Sequence, residues 1–79
     1  MNKERREELW EVYTSLDDAM SKIIEVRSDE EDSFDNLPDG LQASKTGESI
    51  QAAIDWLNET ELVIQSVRDR VERYIKNKK

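Results

Sequence analysis

The chain has 79 residues, 39% charged and 35% hydrophobic, with a formal net charge of −7, which allows one small domain whose core is close to the lower limit for independent folding. It contains no Cys and no His, so disulfides, thiolate or imidazole zinc sites and His-based proton transfer are excluded. No apolar run approaches the ~18 residues of a membrane span, and the opening MNKERREELW is not built like a signal peptide, so the expected setting is the cytoplasm.

The first half reads as one long helix, from about Lys3 to about Asp32. Leu9, Tyr13, Leu16, Met20 and Ile23 step by four and three, the rhythm of a packed helix seam. Continuing that rhythm gives Arg27, Glu30 and Phe34, so the seam turns polar before the helix ends. No Gly or Pro interrupts it before residue 38.

An acidic run follows, SDEEDSFD, with Asp29, Glu30, Glu31, Asp32 and Asp35. Residues 25–40 hold seven acids against Arg27, giving −6. Such a run is ordinarily a solvated helix end. The sharper reading is that it imitates a phosphate backbone and binds a basic protein surface that otherwise holds nucleic acid. The stretch FDNLPDGLQAS then carries the only Pro and one of the two Gly, and residues 33–45 read as a turn. An EF-hand fails here: counted from Asp35, the third, fourth and twelfth positions are Leu37, Pro38 and Thr46. The expected role is structural. Pro38 opens a short helical turn, Gly40 supplies an unusual backbone angle, and Phe34, Leu37 and Leu41 plug the open end between the helices.

The second helix is expected from about Thr46 to about Asn77, capped by Ser44 or Thr46 with Glu48 near its positive end. Ile50, Ala53, Leu57, Thr60, Ile64, Val67, Val71 and Tyr74 alternate by three and four. Lys76, Lys78 and Lys79 suit its negative end. Residues 68–79 hold six bases against two acids, giving +4. The interspersed acids favour pairing between helices over nucleic-acid contact. Asn58-Glu59-Thr60 matches a glycosylation sequon, but it lies mid-helix and is read as chance.

Two helices of ~45 Å joined by about a dozen residues containing Pro and Gly make an all-α, antiparallel two-helix hairpin, a single domain over residues 1–79. Its seam should comprise Leu9, Tyr13, Leu16, Met20, Ile23, Ile50, Leu57, Ile64, Val67 and Val71. On a helical wheel, however, the hydrophobes of each helix spread over ~200°, wider than the ~100° stripe that one partner helix covers. In the first helix Val12, Ala19 and Val26 flank the seam on one side, and Trp10 and Ile24 on the other. In the second, Trp56, Val63 and Ala52 widen one edge and Ile54 the other. Trp10, Ile24, Ile54, Trp56 and Val63 are therefore the expected dimer or partner surface, and two hairpins are expected to form a homodimeric four-helix bundle.

Enzyme motifs are missing. Di-metal bundles need an inward Glu-x-x-His motif, and adjacent carboxylates such as Asp17 and Asp18 point in different directions. No Gly-rich phosphate loop occurs. No catalytic residue, metal or cofactor is expected.

Across EEDSFDNLPDGLQASKTGESIQAAIDWL the chain resembles a group of short, uncharacterised helical proteins of phages, prophages and mobile elements of Gram-positive bacteria. The matching residues are Asn36, Pro38, Leu41, Gln42, Ser44, Gly47, Glu48, Ala53, Ile54 and Asp55, about a third of the chain. The resemblance implies a reused turn and a phage accessory protein in the host cytoplasm, a class that often inhibits host enzymes or defence systems by binding them. It implies no activity and no catalytic residue. The expected function is thus protein–protein binding with an unidentified partner. The alternative is a nucleic-acid-related role, through residues 29–35 as a DNA mimic or through the basic C-terminal end.

Overall fold

A computed structural model of the chain describes residues 1–77. Two α-helices of 33 residues each make up nearly all of it: α1 (Lys3–Asp35) and α2 (Lys45–Asn77). Each rises ~50 Å and the molecule measures 58 × 14 × 13 Å, so the helices lie side by side along their whole length. Ten residues forward along α1, from Asp17 to Arg27, the partner moves back along α2 from Arg68 to Asn58 and Glu61. The pair is antiparallel, and the fold is a helical hairpin.

The caps set the ends. Asn2 accepts the Arg5 backbone N–H on its side-chain oxygen at 2.9 Å, satisfying one of the amides that the first turn leaves open. Ser44 does the same for α2: its hydroxyl accepts from the Gly47 N–H at 3.4 Å, and its carbonyl accepts from Glu48 at 2.8 Å. Of the two expected caps, Ser44 is the one used, and α2 begins one residue earlier than the sequence suggested. Helix α1 runs three residues beyond the expected Asp32. Phe34 continues the seam rhythm, so extending the helix half-buries that ring. The Asn36 N–H then closes the helix against the Asp32 carbonyl at 3.0 Å, and the Leu37 N–H against that of Phe34 at 3.2 Å.

The connection is two successive turns, not the short helical turn expected at Pro38. Leu41 donates to the Pro38 carbonyl and Ser44 to that of Leu41, both at 3.0 Å. Gly40 sits at φ +88°, the value required at the third position of a type II turn. Gln42 Nε2 donates to the same Phe34 carbonyl at 3.3 Å, a second donor beside the Leu37 amide at the end of α1. Phe34 and Leu37 are half-buried, but Leu41 is exposed, so only two of the three expected plugging residues cover the hairpin end. Gly47 explains the arrangement. A Cβ there would lie 2.0 Å from the Gln42 carbonyl oxygen and 2.7 Å from that of Leu41, so the loop backbone lies directly on the start of α2.

Among the described residues the buried apolar side chains are Ile54, Leu57 and Ile75, all from α2. Leu9, Tyr13, Leu16, Met20, Ile23 and Phe34 of α1 are half-buried against them. Two expectations about α2 are corrected here. Ile54, expected on an outer surface, is 7% exposed in the seam, and Val67, expected in the seam, is 42% exposed. The central stripe Ile50, Leu57, Ile64 and Val71 faces α1 as expected. The second stripe is Ile54, Glu61, Arg68 and Ile75 in place of Ala53, Thr60, Val67 and Tyr74, a rotation of α2 by roughly 60° at 100° per residue. That rotation places bulkier Ile side chains in the seam and brings Glu61 and Arg68 to charges on α1.

Candidate interaction surface

Two polar layers interrupt the seam, one anchored on each helix. Arg27 of α1 reaches the carboxylate of Glu61 and the Asn58 side-chain oxygen, the latter at 2.8 Å, with Glu31 at 3.3 Å. Arg68 of α2 reaches Asp17 at 2.6 Å and its neighbour Asp69 at 3.4 Å, with its guanidinium 5.8 Å from the Tyr13 ring centre. Trp10 packs edge-on against the same Tyr13 ring at 5.3 Å. The bond from Asp17 holds Arg68 above the ordinary arginine value. Partial desolvation, and then the nearby Glu72 carboxylate, push the Tyr13 phenol up. Arg68 Nε is buried without an acceptor, a cost set against the charge-assisted bonds made by the other two nitrogens. These pairs fix which residues of the two helices stand level, as buried polar pairs do in coiled coils. Arg27 was visible in the sequence as a polar seam position. Arg68 was not, because its stripe was the less apolar of two possible ones; the seven-residue spacing of Ile54, Glu61, Arg68 and Ile75 was the available signal. Asn58, part of the sequon, serves as an acceptor in this network.

The two long faces of the hairpin differ in chemistry. Asp17, Glu31 and Asp35 of α1 project to the same side as Gln51, Asn58 and Gln65 of α2. The Arg27–Asn58 bond and a shallow groove between Glu31, Phe34, Asp35, Gln51 and Ile54 both lie there. Trp10 and Ile24 occupy the same column as Asp17 and Glu31, at intervals of seven. The opposite face receives Val12, Ala19 and Val26 from α1, and Thr60, Val67 and Tyr74 from α2, with Trp56 and Val63 further out. Trp56 and Val63 are 60% and 62% exposed, and Val12, Val26, Val67 and Tyr74 are about two-fifths exposed. The Thr60 hydroxyl donates to the Trp56 carbonyl at 2.8 Å, so its polar group is satisfied within the helix.

The five expected surface residues therefore do not form one patch. Ile54 is in the seam, Trp10 and Ile24 stand on the polar face, and Trp56 and Val63 stand on the apolar one. Sequence reading missed Val67 as a member of that apolar face by assigning it to the seam, and Tyr74 by reading it only as part of the same three-and-four alternation. The acidic candidates are also dispersed. Asp29, Asp32 and Asp35 are exposed at different angles around α1, Glu30 is half-buried on the seam side, and Glu31 is engaged by Arg27. Among the described residues no three of His, Cys, Asp or Glu are grouped to hold a metal ion. No helix among them is long and apolar enough to cross a membrane. Lys78 and Lys79, assigned from sequence to the end of α2, lie outside the described residues, whereas Lys76 stands in its last turn and pairs with Glu72 at 3.6 Å. No family model, curated protein or solved structure matches the chain.

Proposed function

We propose that this protein is a non-enzymatic binding module, a phage-type accessory protein of the bacterial cytoplasm that docks on a host enzyme or defence component as a homodimeric four-helix bundle. The observation that carries the reading is the surface left once the hairpin closes. The chain exposes 5939 Å², whereas a compact protein of 9.3 kDa exposes about 5,000 Å². Its radius of gyration is 17.8 Å, against about 12 Å for a compact domain of this length. Val12, Val26, Trp56, Val63, Val67 and Tyr74 are each more than two-fifths exposed on one side of the hairpin, and a continuous exposed apolar face marks an interaction surface. The resemblance of residues 30–57 to small phage and prophage proteins supplies the biological setting.

The test begins with mass. Sedimentation equilibrium should give twice 9.3 kDa, and tagged protein should retain a discrete partner from a Gram-positive lysate across a wide range of salt. A monomer at all concentrations that retains nothing would reject the proposal. The second reading is a nucleic-acid-related role for the acidic end, favoured by the last turn of α1, which has no basic residue. On that reading a basic partner binds with steep ionic-strength dependence, and Asp29→Asn with Glu30→Gln weakens binding and flattens that dependence. Apolar docking predicts little change in either respect.

A further inference from the structure

We infer that the apolar face is occupied by a second copy of this chain, stacked so that the turn of each hairpin lies over the open end of the other; this rests on the dimeric reading above and specifies its surface and orientation. The area fits. One long face of the 58 × 14 Å hairpin spans about 800 Å², which matches the area per partner of a standard stable interface.

The level pairs set the geometry. Carrying the Asp17–Arg68 and Arg27–Asn58 alignment along the helices places Val12 within one residue of Tyr74, Ala19 of Val67, and Val26 of Thr60. The smallest side chain of the α1 column, Ala19, is thus central, where two backbones can approach most closely. A two-fold axis lying across the helices at Ala19 and Val67 sets α1 on α1 and α2 on α2, all neighbours antiparallel. It brings Val12 of one copy to Val26 of the other, and Trp56 within about one turn of Tyr74 of the other.

Charge selects this orientation over its competitor. Residues 25–40 carry −6, whereas residues 1–12 and 68–77, which meet at the open end, together carry +1, so turn-over-tail stacking keeps the two acidic turns apart and sets each over a base-containing end. A two-fold along the long axis would instead bring two −6 turns side by side, which repel.

The absence of Cys from the chain makes the test direct. In sedimentation equilibrium the wild-type chain should be a dimer and Val63→Glu a monomer with its helix signal retained, since Val63 is 62% exposed within one hairpin. Ile24→Glu, on the other face, should remain a dimer. Under oxidation Ala19→Cys should cross-link with itself, and Val12→Cys should cross-link with Val26→Cys in a mixture but not with itself. A monomeric wild-type chain would overturn both the dimeric reading and this inference. A dimer that survives Val63→Glu, or that Ile24→Glu dissociates, would overturn the assigned face alone. Should Val63→Glu unfold, the cross-links decide: Ala19→Cys linking to Val67→Cys and not to itself would mean turn-beside-turn packing, against the inference.

Discussion

At Gly47 a hydrogen stands where any other residue would set a carbon 2.0 Å from a backbone carbonyl oxygen. Neither the loop nor the helix start can yield without losing the Ser44 cap. Gly47→Ala should therefore cost about 3 kcal/mol, as overpacking against backbone does. Gly40 has open space around it, but its φ of +88° strains an L side chain, so Gly40→Ala should cost only about 1 kcal/mol. Urea midpoints of the two variants test the order, and equal losses would contradict the close approach. Tyr13 adds a pH prediction. Its phenol is pushed above the usual 10.0 by partial desolvation and by Glu72, so the folded state favours the protonated form. That contribution is complete below pH 10 and is lost as pH rises through the raised value. Unfolding followed across this range should show an alkaline loss of stability that Tyr13→Phe lacks in part.

For the elements, the two helices are electrostatically unequal. Helix α2 has Glu48 in its first turn and Lys76 in its last, matching the dipole at both ends. Helix α1 ends without a base and with Asp29, Glu30, Glu31, Asp32 and Asp35 crowded near its negative pole. That end holds through its hydrogen bonds, Asn36 to the Asp32 carbonyl and Gln42 to that of Phe34, and through Phe34 in the seam. Asp32→Asn should accordingly stabilise the protein by about 0.5 kcal/mol, raising the melting midpoint by ~2–4 °C. The gain should shrink at high salt, where the repulsion is screened. A loss of stability at low salt would mean that the acid has a structural partner.

The whole molecule is a rod two helices wide, with only three buried apolar side chains among the described residues. A core of that size is marginal for independent folding, so on the dimeric reading association would contribute to the stability of the hairpin itself. Thermal unfolding should then depend on concentration, the midpoint rising with each tenfold increase in protein, as mass action requires for a dimer that unfolds to monomers. A midpoint constant from micromolar to millimolar would mean that the seam suffices alone. The dimer would also hold an acidic turn at each end of a bundle about as long as the 58 Å hairpin, leaving the polar faces with Trp10 and Ile24 outward for a different protein.

The amino-acid order alone determined much of this. Three- and four-residue steps specify two long helices, because helical periodicity is local. Pro38 and Gly40 specify the reversal, and Ser44 and Thr46 mark a helix start by their capping chemistry, the choice of Ser44 coming from the folded loop. The breadth of the apolar arcs, and the membership of each flank, follow from the wheel. The rotation of α2 about its own axis does not, since Ile54–Glu61–Arg68–Ile75 and Ala53–Thr60–Val67–Tyr74 border the same central stripe. That choice depends on pairs 34 and 51 residues apart, Arg27 with Glu61 and Asp17 with Arg68, whose meeting exists only when both helices are in place. The same rotation decides which flanks share a face, setting Trp56 and Val63 beside Val12 and Val26 and sending Trp10 and Ile24 to the other side. Gly47 belongs with these: its need is steric, and the carbonyls that impose it arrive only when the loop folds back.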